Sequence, residues 1–254
     1  MCVVALAWKT HPDWPLVLIG NRDELHARQA SPLAAWNDGS DIIAGRDEQS
    51  GGTWLGVSPQ GRLAVITNRR NSDGRDPTKL SRGALVTDAL KQGVAPLRVE
   101  PELAGKYNGF SLLAVDQDQA WLIASQPQSG TTNNNMGLVP NIYGLANGDL
   151  DEPWPKTIRI KDFLAEWLDS GKHDPDRLLN GLREDDRPQV TPDRAEQSPI
   201  FIHHPVYGTR CSTVILVDAD GKGQVTERRY DPEGKATGQT ALDFVWPVSP
   251  ITAD

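Results

Sequence analysis

Cys2 is the residue best placed for chemistry. Cytosolic removal of Met1 requires a small second residue, and cysteine qualifies, so the processed chain begins with a cysteine carrying both a thiol and a free α-amine. A thiol with a reference pKa of about 8.5 and an α-amine of about 7.7 to 8.0 suit one another: the amine can take the thiol's proton near neutral pH, and the thiolate is the nucleophile. No histidine is then required. From position alone a plain buried strand residue is the commoner case, so support must come from elsewhere. It comes from Gly20-Asn21-Arg22-Asp23-Glu24, a polar run that closes an apolar stretch. Cys2 to Trp8 and Leu16 to Asn21 read as strands joined by the turn-rich His11-Pro12-Asp13-Trp14-Pro15. In an antiparallel hairpin the end of the second strand returns to the start of the first, which sets the polar run beside Cys2. An arginine there favours the thiolate, and a carboxylate orients the amine. The bland alternative is a solvated turn with a local ion pair.

Other candidates carry less. His203-His204 invites a metal or haem, but adjacent histidines do not share a ligand face, and no Cys-x-x-Cys-His or His-Glu-x-x-His accompanies them; a solvated or capping role is expected. Cys211 beside Arg210 is either a redox partner of Cys2 or a small buried strand thiol, the second being expected. Gly51-Gly52 lacks the Lys-Ser/Thr of a phosphate-binding loop and reads as a tight turn.

The elements that must position these residues are mostly strands. Asp41 to Ala44, Thr53 to Val57 and Arg62 to Asn68 follow the first hairpin, the last two separated by the turn Ser58-Pro59-Gln60-Gly61. A polar loop covers Arg69 to Lys79. Arg82 to Gln92, Lys156 to Trp167 and Pro175 to Arg183 have apolar residues three and four apart and predict helices. Phe110 to Val115 and Gln119 to Ala124 predict a second hairpin, the Gln126 to Asn135 stretch a surface loop, and Ser212 to Val217 and Gln224 to Tyr230 further strands. Two β-rich ends around a helix-containing middle predict an α+β fold rather than alternating βαβ units. No repeat or linker interrupts the 254 residues, so one domain over 1–254 is expected. The formal net charge of −8 disfavours nucleic acid and anionic lipid surfaces and leaves a small molecule as the expected partner. The start of the chain has no basic n-region, and its apolar run is of strand length, so neither a signal peptide nor a membrane span is expected. Two cysteines allow at most one disulfide, and a reducing cytoplasm is the expected location.

Taken together, these motifs resemble the Asn-Arg-Asp-Glu motif family, also called the Transport and Golgi organization 2 family. The resemblance rests on Met1-Cys2, Gly20 to Glu24, Gly51-Gly52-Thr53-Trp54-Leu55-Gly56, Thr67-Asn68-Arg69, Tyr143 to Asn147 followed by Asp151 to Lys156, and Tyr207-Gly208-Thr209-Arg210 with Ser212-Thr213. That family is in turn similar to N-terminal-nucleophile hydrolases of the choloylglycine and penicillin V acylase type, which implies a four-layer αββα sandwich. Carried over, the resemblance makes Cys2 the nucleophile, gives Arg22 the thiolate and Asp23 the α-amine, assigns Asn68 and Asn147 to substrate positioning and the oxyanion hole, and makes Arg210 the second arginine near the nucleophile. The hydrolases space their arginine and aspartate three apart, whereas Arg22 and Asp23 are adjacent and would face opposite ways on a strand. Either the chain turns there, or Glu24 is the partner carboxylate. The implied activity is hydrolysis or acyl transfer on a small amide or acyl thioester, without a cofactor. Two alternatives come with the family: a non-catalytic carrier of haem or acyl lipid that uses Cys2 as a thiolate ligand to haem iron, and an interaction protein of the secretory pathway. A homo-oligomer is compatible with all three.

Overall fold

In the computed structural model, residues 2–69, 74–99, 102–184 and 195–247 are described; Met1 and residues 70–73 of the expected loop lie outside them. In chain order the elements are β1 (Cys2–Trp8), β2 (Leu16–Leu25), β3 (Ala30–Ala35), β4 (Ile43–Asp47), β5 (Leu55–Ser58) and β6 (Arg62–Asn68), then α1 (Gly83–Gln92), α2 (Ala95–Val99) and α3 (Leu103–Lys106). They continue with β7 (Phe110–Asp116), β8 (Gln119–Ala124), β9 (Asn135–Leu138), β10 (Asn141–Leu145), α4 (Pro155–Asp169), α5 (Pro175–Gly181), β11 (Tyr207–Val217), β12 (Lys222–Tyr230) and β13 (Ala236–Val245). One sheet has the order β10-β1-β2-β11-β12-β13, and the other runs β3 to β9 in sequence order.

Side-chain alternation divides each strand between two cores. Val4, Leu6, Leu18, Ile215 and Val225 of the first sheet meet Leu63, Val65, Leu113 and Val115 of the second between the sheets. The intervening Val3, Ala5, Val17 and Ile19 face outward onto Ile160, Leu164 and Trp167 of α4 and Leu178 of α5. On the far side Ala64, Leu112 and Ala114 pack against Leu85, Val86 and Leu90 of α1. Each such aliphatic side chain contributes roughly 1.5–3 kcal/mol when fully buried, so the central sheets are held from both faces. The result is the four-layer αββα sandwich.

The second strand is longer than expected. Its polar run does not end in a turn at Asn21: β2 continues through Arg22 and Asp23 to Leu25. The reason is tertiary pairing. β1 lies along one edge of β2 and β11 along the other, and the β11 register reaches Tyr207 opposite Leu25, so the backbone polar groups of the run are taken up by sheet ladders.

Candidate active site

Cys2 lies opposite Arg22 in the β1–β2 register. Both follow the alternation of residues that face the space between the sheets, Val4 and Leu6 on β1 and Leu18 on β2. They project into a cavity of about 470 Å³ at one end of the sandwich, which Asp23, Asn68 and Arg210 also line. The hairpin therefore brings the polar run to Cys2, as its spacing predicts. Asn147 is not part of the lining. It stands behind Asn68, and its Nδ2 donates to the Asn68 carbonyl at 2.8 Å. The Asn147 Oδ1 is buried without a hydrogen-bond partner.

Arg22 and Asp23 do face opposite ways, and the chain does not turn between them. Asp23 pairs with Thr209 and Arg22 with Cys211, so Arg210 is an extra residue on β11, a bulge opposite the motif. The Asp23 carboxylate accepts from Thr209 Oγ1 at 2.7 Å, and its carbonyl accepts from the Tyr207 hydroxyl at 2.9 Å. Burial raises its pKa to about 6, against the opposing charge of buried Lys156 and the Thr209 hydrogen bond. Glu24 lines the cavity, approaches Arg28 at 3.9 Å and accepts from the Leu25 N–H at 2.9 Å. Asn21 serves the architecture. Its Nδ2 donates to the carbonyls of Leu182 and Ile200, and its Oδ1 accepts from Ser212 Oγ at 2.7 Å. The asparagine of the motif thus anchors the segments after α5 and before β11 to the sheet.

Around the nucleophile candidate the charges are arranged in pairs. Burial pushes the Cys2 thiol up, and the Asp23 charge adds to this; the Asp23 backbone N–H, which hydrogen-bonds it, and the Arg22 charge act the other way. Arg22 Nη2 stands 3.4 Å from Asp47 Oδ2, the same oxygen that accepts from Arg28 Nε at 2.6 Å. Partial burial works against the Asp47 carboxylate, yet the Arg28 contact holds its pKa below the usual range. Arg210 donates to His26 Nδ1 at 2.9 Å, which leaves the His26 proton on Nε2, where it donates to the His204 carbonyl at 2.9 Å. His204 has the expected local role, its Nδ1 accepting from the Val206 N–H at 3.3 Å. Cys211 is a buried free thiol two strands from Cys2 on the same face, about 10 Å away and beyond disulfide reach.

Sequence reasoning missed Asp47, Arg28, Arg82, Glu227 and Arg229, all in the cavity wall. Arg82 immediately precedes α1 and donates to the Gly109 carbonyl at 2.9 Å. None sits in a local pattern that announces a site, because each becomes a neighbour of Cys2 through the pairing and packing of distant elements. Among the described residues no group of His, Cys, Asp or Glu has the arrangement of a metal site.

Two facing antiparallel sheets covered by helices, with a cysteine at residue 2 opening onto the cavity between them, define a sandwich of the N-terminal-nucleophile hydrolase type. The C2A mutant of the conjugated bile acid hydrolase from Clostridium perfringens shares this fold, with a TM-score of 0.52 and 9% identity, covering 96% of this chain and 92% of its own. Within that class the chain belongs to the Transport and Golgi organisation 2 family, whose model matches residues 1–232. It is 32% identical over 261 residues to the Transport and Golgi organization protein 2 homolog of Bos taurus and 30% identical over 257 residues to that of Homo sapiens. Each of these matches covers 90% of this chain and 92% of the relative.

Proposed function

We propose that this chain is an N-terminal-cysteine amidohydrolase or acyltransferase for a small amide or acyl thioester, with Cys2 as nucleophile once Met1 is removed. The observation that carries this reading is the position of Cys2, on the inner face of β1, opposite Arg22 and open to the cavity. A buried thiol with a raised pKa is protonated at rest, so attack needs a base within reach. The freed α-amine of Cys2 is that base. As the proton leaves, Arg22 and the Asp23 N–H favour the thiolate. Sulfur then bonds to the carbonyl carbon, and the carbonyl electron pair moves to oxygen. Asn68, which lines the cavity with Asn147 bonded behind it, supplies the amide donor for that oxyanion; one such donor is worth roughly 100- to 1,000-fold in rate. The proton held by the amine passes to the departing nitrogen or sulfur, and water or another acceptor releases the acyl group from Cys2.

Asp23 is assigned to the amine, because its backbone already bonds the thiol while Glu24 is engaged by Arg28 and the Leu25 N–H. The test combines intact mass with turnover. Purified protein lacking Met1 should hydrolyse members of a panel of short amides and acyl thioesters, and Cys2→Ala should lower kcat on the order of 1,000-fold or more while leaving the melting curve in place. Full activity in Cys2→Ala, or in protein that quantitatively retains Met1, sinks the mechanism.

A further inference from the structure

Cys2, Arg22, Cys211 and Arg229 form one register row across four neighbouring strands, β1, β2, β11 and β12. All four line the cavity. With neighbouring strands about 4.8 Å apart, the Arg229 backbone stands about 14 Å from that of Cys2 along the row. The next residue in the row, on β13, is Gly238. A Cβ there would lie 2.9 Å from Arg229 Nη2, so the guanidinium rests against bare backbone, and a side chain at 238 would displace it.

Five other cavity arginines are already engaged. Asp47 answers Arg22 and Arg28, Arg46 donates to the Gly51 carbonyl, Arg82 to the Gly109 carbonyl, and Arg210 to His26. Arg229 differs: its Nε is buried without a hydrogen-bond partner. The carboxylate on its strand, Glu227, feels the Arg229 charge, but its hydrogen bonds go elsewhere. Glu227 Oε1 accepts from the Leu33 N–H at 2.9 Å, and its side chain is hydrogen-bonded to Cys211. The cavity as a whole is lined by eight arginine and lysine side chains against four carboxylates, in a chain whose net charge is −8. A cavity of the opposite sign to its protein concentrates anions, and a guanidinium fork matches a carboxylate in geometry as well as charge.

We infer that Arg229 anchors a carboxylate subsite, and that the molecule presented to Cys2 is an amide or thioester bearing a carboxylate three to four strand spacings, about 14 to 19 Å, from the reacting carbonyl. The reacting carbonyl rests on the function proposed above; the carboxylate subsite does not. Binding to Cys2→Ala protein separates the two. Calorimetric titration with α,ω-dicarboxylic acid monoamides of stepped chain length, each beside its ω-methyl ester, should show the acid bound at least about tenfold more tightly than the ester at an optimal length. Arg229→Met should abolish that preference, and Arg229→Lys, which keeps the charge, should retain part of it. Equal binding of acid and ester, or a preference unchanged in Arg229→Met or lost equally in Arg229→Lys, overturns the subsite. Binding with the expected preference, but no turnover by the wild-type protein, leaves the subsite in place and refutes the catalytic reading alone.

Discussion

At the scale of single residues, adjacent Arg22 and Asp23 do different work because a strand sends neighbours to opposite faces. Arg22 enters the cavity, while Asp23 is enclosed with Thr209 and Lys156 in its electrostatic field. Burial dominates at Asp23 and raises its pKa from 3.8 to about 6. The folded state therefore holds the proton more tightly than the unfolded chain. The stabilisation is fully present below pH 3.8 and is lost as the pH rises through about 6, a change of roughly 3 kcal/mol for this one group. Asp23→Asn keeps an oxygen to accept from Thr209 and removes the titration. Denaturant melts should accordingly show the variant gaining on the wild type by roughly that amount between pH 4 and pH 7. A stability difference that is flat over this interval contradicts the assignment. Asp23 is legible in the sequence as a member of the motif, but its enclosure is not, because Thr209 and Lys156 reach it from β11 and α4.

At the scale of elements, the hairpin that delivers Cys2 depends on a close approach at Gly20. Gly20 pairs with Val4, and a Cβ there would lie 2.5 Å from Val4 Cγ1 and 2.8 Å from the Val3 carbonyl oxygen. The first can move, but the backbone oxygen can do so only if the strands part. Gly20→Val should cost roughly 1–3 kcal/mol by overpacking, seen as a lowered melting temperature together with faster labelling of Cys2 by a thiol reagent as β1 loosens. An unchanged melting curve would show that the strands absorb the side chain. Such apolar strands are readable from composition: β1, β6 and β8 have the bounds expected from the sequence for their apolar runs. Four strands are not. β3 carries Pro32 at a register shift between Ser31 and Ala34 on the edge of its sheet, a place where proline is tolerated but strand patterning is lost. β9 and β10 are short, contain glycine and flank Pro140. β13 is an edge strand with mostly exposed side chains, so its residues carry little hydrophobic signal. The polar end of β2 reads as a turn for a related reason: its partner β11 comes from far along the chain, and no local pattern records that pairing.

At the scale of the whole molecule, the two sheets must be held at one separation for the cavity to exist, and a polar tie between them lies beside it. Glu227 projects from β12 of the first sheet and accepts from the Leu33 N–H of β3 in the second at 2.9 Å. That N–H lies within the β3 register shift, outside the β3–β4 ladder, so the carboxylate satisfies a buried donor that strand pairing leaves over. Burial pushes the Glu227 pKa up and the Leu33 N–H opposes the shift, so this tie depends on a group whose charge the interior disfavours. Glu227→Ala removes the acceptor and orphans the Leu33 N–H, at roughly 1–3 kcal/mol. Glu227→Gln retains an acceptor oxygen of similar reach and should lose less than half as much. Paired thermal melts decide the matter: a large loss in Ala with a small one in Gln makes Glu227 a tie between sheets through its oxygen. Equal losses would mean that its charge, set between Cys211 and Arg229, matters more to the fold than the bond to Leu33.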